Sequence, residues 1–281
     1  MISMRDFKLL ISNKQVFVGG FLVLALALIA CFAPYISPYP YWKQDYAALL
    51  QPPSWTHPFG TDQFGRDCFS RVVYGTRASL LSALGAAGIA GIIGIILGLL
   101  SGYFGGYLDR FVQSLVDIFW AFPSLLLALV LVLVMHPGLT PTMLAIGVGY
   151  WPQYTQVLRS EVLVRREEEY ILAARAIGAG HGRILLKHIL PNVIAPVIVL
   201  VSLTMGSAII VESSVSFLGL GVQPPMSSWG TLLSEGRDFL GVAPWLTLFP
   251  GLAIVVAVLG FNLLGDGLRD VLDPYLRHTR K

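Results

Sequence analysis

Long uncharged stretches alternate with short charged ones along the whole chain. Four stretches carry no Asp, Glu, Lys or Arg at all: 15–42, 78–108, 118–158 and 239–265. In hydrocarbon a backbone must satisfy its own hydrogen bonds, so apolar runs of about 20 residues predict membrane-spanning helices. The third stretch is too long for one span. It breaks at His136-Pro137-Gly138-Leu139-Thr140-Pro141, a loop signal, which leaves two helices. A further apolar run, 193–211, follows Pro191 and ends at Glu212. Six spans result, at about 16–36, 78–101, 111–135, 141–159, 193–214 and 244–265. Ten-residue segments of alternating polarity are absent, which disfavours a β-barrel.

Composition agrees with the pattern. The 281 residues are 55% hydrophobic and only 12% charged, with a mean hydropathy of +0.71, where a soluble domain carries about a quarter charged residues. That excludes a disordered, collagenous, disulfide-rich or ordinary cytosolic protein, and nucleic acid is not an expected partner. The net charge of +3 is small, so the placement of the basic residues carries the information. With six spans both termini share a side. Fourteen of the 19 basic residues fall there, among them Arg5, Lys8 and Lys14, Arg159 to Lys187, and Arg277, Arg280 and Lys281. The positive-inside rule then puts both termini in the cytoplasm. Cys31 and Cys68 are too few for a disulfide framework. Leu28-Ile29-Ala30-Cys31 resembles a lipoprotein cleavage box, but the apolar run continues past it, and an uncleaved first helix is the expectation.

Three loops are long. The first, 37–76, is rich in Pro, Tyr and Trp and reads as an ordered extracytoplasmic lid or an interfacial aromatic belt. The second, 159–191, is cytoplasmic. Glu167, Glu168 and Glu169 open a helical run from Tyr170 to Ile177, where acids suit the positive end of the helix dipole. Gly178-Ala179-Gly180 stops that run, and a second short helix from His181 ends before Pro191. Ala173, Ala174 and Gly178 give the first helix a face with almost no side-chain bulk, suited to lying in another protein's groove. The third loop, 216–243, has the glycine and proline density of a tightly folded or re-entrant segment.

Together these loops resemble those of the second membrane subunit of the bacterial peptide/nickel class of ABC importers. The family's cytoplasmic signature is Glu-Ala-Ala, three residues, Gly, nine residues, Ile, one residue, Leu-Pro. Here it reads Leu172-Ala173-Ala174, Gly178, His188, Leu190-Pro191, so the Ala, Gly and Leu-Pro positions match while Leu172 and His188 depart. Gly60-Thr61-Asp62, Gly102-Tyr103-Phe104-Gly105-Gly106, Phe122-Pro123-Ser124, Phe217-Leu218-Gly219-Leu220-Gly221, Trp229-Gly230, Gly265-Asp266-Gly267-Leu268-Arg269-Asp270 and Asp273-Pro274 match as well, in order along the chain.

The resemblance implies an all-α, six-span type I importer permease in the bacterial inner membrane. Its parts would be an N-terminus and first helix (1–36), an outer loop (37–76), a five-helix core (77–265) with a coupling loop at 160–191, and a cytoplasmic tail (266–281). It implies a second permease subunit, two ATPase subunits and an extracytoplasmic binding protein. No Walker A sequence occurs, so ATP and Mg would be bound by the partners and no cofactor by this chain. Glu169, Tyr170, Ala173, Ala174, Arg175, Gly178, Ala179, Leu190 and Pro191 are the expected ATPase contacts, moving as a lever when the ATPases close on ATP. Asp117 and Glu212 are costly in a bilayer and should face protein or water; Asp117 is expected near Arg110, and Glu212 is the better candidate for touching a polar cargo. Ala86, Ala90, Gly94, Gly98, Gly102 and Gly106 form a small-residue stripe on span two, expected to pack against another helix. Di- or oligopeptide is the expected cargo, with a nickel or other metal chelate as the alternative. A proton-coupled carrier is the rival of another class, but no internal repeat is visible. An intramembrane hydrolase is disfavoured because all five histidines fall in loops, at a membrane edge or in the tail.

Overall fold

A computed structural model describes residues 13–272. Arg5, Lys8, Arg277, Arg280 and Lys281, counted above for orientation, and the Asp273-Pro274 motif lie outside the described residues. Apart from one isolated bridge between Thr61 and Asp67, the described residues are helix and loop. In chain order the helices are α1 (Lys14–Ile36), α2 (Cys68–Phe104), α3 (Gly106–Trp120), α4 (Ser124–Met135), α5 (Leu139–Arg165), α6 (Glu169–Ala176), α7 (His181–Arg183), α8 (Leu190–Phe217), α9 (Trp229–Gly236) and α10 (Trp245–Leu272).

Four of the expected spans are single apolar helices: α1, α2, the helical stretch His181–Phe217 that ends in α8, and α10. The third is not one rod. α3 and α4 meet at 90° across a break of three residues. Pro123 explains the break: it has no N–H to continue the helix, and it pushes Phe122 away from helical geometry. The fourth expected span lies within α5, which is long enough to cross but carries Gln153, Gln156, Arg159 and Glu161 along its length.

α2 and α5 make the most extensive helix pair in the bundle. The small-residue stripe is the reason. Ala86 and Ala90 are fully buried, and a side chain at Gly98 would stand 2.8 Å from the Thr155 carbonyl oxygen and 2.9 Å from Leu158 Cβ. Backbones this close gain dispersion contacts that larger residues would prevent. Gly106 departs from the expected stripe: it starts α3 at a positive φ of 61° and has open space around it.

α1 lies on the outside of the bundle against α10 and α2. Two buried clusters fill the interior. One joins α1, α2, α4, α5, α8, α9 and α10 around Ile146, Ile209, Trp229 and Phe261. The other joins the ends of α2 and α5 to α6 and the start of α8 around Tyr154, Leu158, Ile171, Ile184 and Ile189. The loop 37–67 and α9 sit at one end of the bundle, here the lid side, and α6 and α7 sit at the other, the elbow side.

Candidate functional site

The elbow-side loop folds as the short helix α6, a glycine turn and α7. Glu168 is the N-cap of α6 and Glu169 its first residue, so negative charge stands at the positive helix end. The C-terminus closes in a Schellman motif. Gly178 takes a φ of +79°, its N–H donates to the Arg175 carbonyl, and the Ala179 N–H donates to the Ala174 carbonyl, both at 3.0 Å. Glycine is used here for its backbone, because only glycine reaches that φ at no steric cost. A Cβ at Gly178 would touch nothing within 4 Å.

The predicted small face is divided between two directions. Ile171 and Ala174 point into the bundle, with Ala174 only 7% exposed, and they pack in the cluster of Ile184, Leu185 and Ile189. Ala174, expected on the docking face, is packed against its own chain here, because the helix must bury one stripe. Glu169, Tyr170, Ala173, Arg175 and Gly178 are exposed, Ala179 and Leu190 half-buried, and Pro191 exposed at the start of α8. Leu172 and Ile177 are also exposed, Ile177 at 86%. The outward surface is thus apolar, with Leu172 and Ile177 beside the small Ala173 and Gly178, rimmed by Glu169 and Arg175.

Arg175 and several side chains that the sequence reading did not assign hold the elbow and the helix ends beside it. Tyr103 at the end of α2 shares a 2.9 Å hydrogen bond with His181 Nδ1, and Arg175 lies over the Tyr103 ring at 5.1 Å. Arg166 donates to the Gly102 carbonyl oxygen at 3.0 Å. Arg159 grips Asp109 with both nitrogens of its fork. The visible signal was the basic density of the loop, read, Arg175 apart, only as a vote on orientation. A π-helical stretch, Ile184–Ile189, then leads into α8, with the Leu190 N–H donating to the Leu185 carbonyl five residues back. Pro191 has no N–H to offer, and Asn192 Nδ2 donates to the His188 carbonyl at 2.7 Å.

The two acidic residues expected along a pathway are not brought together. Glu212 is fully buried. Ser216 Oγ donates to its Oε1 at 2.7 Å and Ser79 Oγ to its Oε2 at 3.2 Å. The Trp229 N–H donates to Ser79 Oγ in turn, so this carboxyl knots α2, α8 and α9 together. It faces protein, as expected, but in this structure it lines no open path. Asp117 is exposed on α3, and the anticipated pairing with Arg110 does not form, since Arg110 lies over the Tyr107 ring at 4.3 Å. Asp266 is exposed on α10.

The lid is ordered by charge as well as by aromatic packing. Asp62 bonds Arg66 at 2.6 Å and Arg71 at 2.8 Å. Glu235 on α9 bonds Arg71 at 2.6 Å and Arg66 at 2.7 Å. Asp67 caps α2 by accepting from the Ser70 N–H at 2.8 Å, and His57 Nδ1 lies 2.9 Å from its other oxygen. Phe59 stacks on Phe249 of α10 at 3.8 Å. Burial opposes the charge on Glu235, but its hydrogen bonds and attraction to Arg71, then Arg66, outweigh it and hold its carboxyl below the usual carboxylate range.

The model of the binding-protein-dependent transport system inner membrane component matches residues 94–278, and the N-terminal membrane domain of oligopeptide transport permease C matches residues 4–53. The chain is 46% identical over 271 residues to a dipeptide transport system permease protein of Alkalihalophilus pseudofirmus, covering 96% of this chain and 89% of the relative. It is 43% identical to a glutathione transport system permease protein of Pectobacterium atrosepticum, covering 92% and 86%. It is 41% identical to an oligopeptide transport system permease protein of Bacillus subtilis, covering 95% and 87%. Among solved structures, the MetNI methionine ABC transporter in an inward-facing form shares the fold with a TM-score of 0.57 at 21% identity, covering 71% of this chain and 95% of that one.

Proposed function

The chain belongs to the family of binding-protein-dependent transport system inner membrane components, and we propose that it forms half of the pathway through which an ATP-driven importer takes up di- and oligopeptides. It is a multi-pass inner-membrane permease subunit. The peptide cargo is supported by the relatives named above for dipeptide and oligopeptide transport. The relative named for glutathione fits the same reading, because glutathione is itself a tripeptide. A nickel or other metal chelate finds no support among these relatives.

The observation that carries the mechanism is the elbow: an apolar surface of Ala173, Ile177 and Gly178 presented outward on a helix whose other face is locked into the bundle. Such a helix transmits force, since it cannot turn without turning Ile184, Leu185 and the start of α8. In this proposal two ATPase subunits bind ATP and Mg and take the exposed side of α6. Their closure moves the elbow and re-aims α8 and α5 against a second permease subunit. A binding protein delivers cargo on the lid side. Six crossings with both termini in the cytoplasm complete the reading, with α3 and α4 together forming one bent crossing and α5 another. α5 has the length to cross, and its Arg159 is paired with Asp109 of α3, which supports its crossing despite its lower apolarity.

Co-expression with the ATPases and the binding protein, followed by reconstitution into proteoliposomes, tests this. Peptide uptake and peptide-stimulated ATP hydrolysis are expected only with all components present. Uptake by the lone chain driven by a proton gradient, without nucleotide, would establish the rival carrier.

A further inference from the structure

A cavity of about 810 Å³ lies between α1, α2, α8 and α10, and none of the elbow residues lines it. We propose that it is a binding site for one glycerophospholipid of the lid-side leaflet, phosphate at the mouth and one acyl chain inside.

Its chemistry is graded along its length. Toward the mid-length of the bundle its walls are Val23, Ala27, Leu84, Phe261 and Leu264, and at the lid side they are Tyr41, Tyr74, Arg77 and Ser227. Along α1 the lining runs from Val23 to Cys31, about 12 Å at 1.5 Å per residue. That falls within one leaflet of a hydrocarbon core of about 30 Å, and so suits a chain from one side only. The volume lies within the roughly 300–1,000 Å³ of ordinary ligand sites. Leu81 and Leu84 line it and are each 56% exposed, so it opens sideways out of the bundle.

Two features at the mouth call for a polar occupant. Arg77 has no carboxylate partner among the described residues; its contacts are the Ala30 and Cys31 carbonyls and the face of Tyr74. Its guanidinium has five N–H donors, so others remain for a phosphodiester. Ser227 is only 4% exposed, and its buried hydroxyl has no hydrogen-bond partner among the described residues. A buried hydroxyl left unpaired costs free energy that a phosphate or ester oxygen would recover. Tyr41 and Tyr74 pack against each other at 4.6 Å beside these groups, the aromatic-with-cation arrangement favoured at headgroup depth. A wholly apolar occupant would leave both Arg77 and Ser227 unanswered.

Cys31 lines the cavity, is exposed, and provides the probe, whereas Cys68 is buried. In the assembled importer, a benzophenone maleimide on Cys31 should photo-crosslink to a phospholipid of the purification membrane, identified by mass spectrometry. Leu84→Trp, which fills the cavity from its open side, should lower that yield at least fivefold. Ser227→Ala should lower it severalfold, while Leu28→Trp on the open face of α1 should leave it unchanged. Equal yields in wild type and Leu84→Trp, crosslinking to a partner subunit in place of lipid, or no lipid adduct at all would each overturn the assignment. Ser227→Ala removes one oxygen atom only, so a fold defect does not obscure the result.

Discussion

Arg77 Nε donates a 2.6 Å hydrogen bond to the carbonyl of Ala30, the one carbonyl in α1 that Pro34 leaves without its usual donor four residues on. The guanidinium thus replaces a missing helix bond and pins the outermost helix to α2 in the same contact. Losing it should strand a carbonyl at a cost of about 1 kcal/mol, typical of interhelical bonds in membranes. Arg77→Gln is expected to lower the thermal midpoint of the assembled complex. The loss should shrink when Pro34→Ala restores the native helix donor. A cycle showing the same loss in both backgrounds would separate Arg77 from Pro34.

Ala173 and Ala174 are neighbours in sequence with opposite exposures, which separates coupling from folding. Ala173→Glu, on the outward face, should leave assembly yield intact and reduce peptide-stimulated ATP hydrolysis by tenfold or more. Ala174→Glu buries a charge against Ile184 and should cut the yield of folded subunit, an effect visible in membrane expression before any activity is measured.

Gly178 has open space around it but a positive φ, so substitution there reports backbone strain alone. Gly178→Ala should cost about 1–2 kcal/mol at the elbow and lower the coupling ratio, with Gly178→Asn intermediate because asparagine tolerates that region better. Equal behaviour of Ala and Asn would show that bulk, not backbone, governs the position.

Gly98 lies where α2 and α5 nearly touch. Gly98→Leu is expected to force the pair apart and abolish folding, whereas Gly88, which has open space around it, should accept leucine with little change. Detergent-solubilised size-exclusion profiles of the two variants decide between packing and a tolerant surface.

The lid should be acid-sensitive. Glu235 has a lowered folded-state value, so its contribution is present above the unfolded carboxylate value of about 4.3 and is lost as pH falls through the folded one. Limited proteolysis of the 37–67 loop should accelerate in acid. Arg71→Gln should expose the loop at neutral pH, because removing one partner of a buried pair costs about 3–5 kcal/mol. Unchanged protection in that variant would assign the lid's order to its aromatic contacts, such as Phe59 on Phe249.

The helices and the elbow were legible because hydrophobic run length and the Gly178 stop are local properties. The bend at Pro123 was legible only as a motif: the proline marks where a helix ends, but the 90° turn depends on what α4 packs against. The inward direction of Ala174 was hidden for a similar reason. Both alanines suit a small face, and which of them meets Ile184 is fixed by how α6 folds back on the bundle. Glu212 was rightly marked as costly in a membrane, yet its partners Ser79 and Ser216 come from two different helices. Arg71 and Glu235 lie 164 residues apart, and nothing in either neighbourhood announces the other.

The Glu212 knot has one last mechanical implication. α8 is a single helix of 28 residues, about 42 Å long, seated at its start among the residues that hold the elbow and tied near its end to Ser79 and, through it, to Trp229. A twist entering at Leu190 would be carried along this rod toward the opposite face. Either the serine contacts around the carboxyl give way, or α9 travels with the rod, so under the proposed coupling a push on the elbow would be felt at the lid.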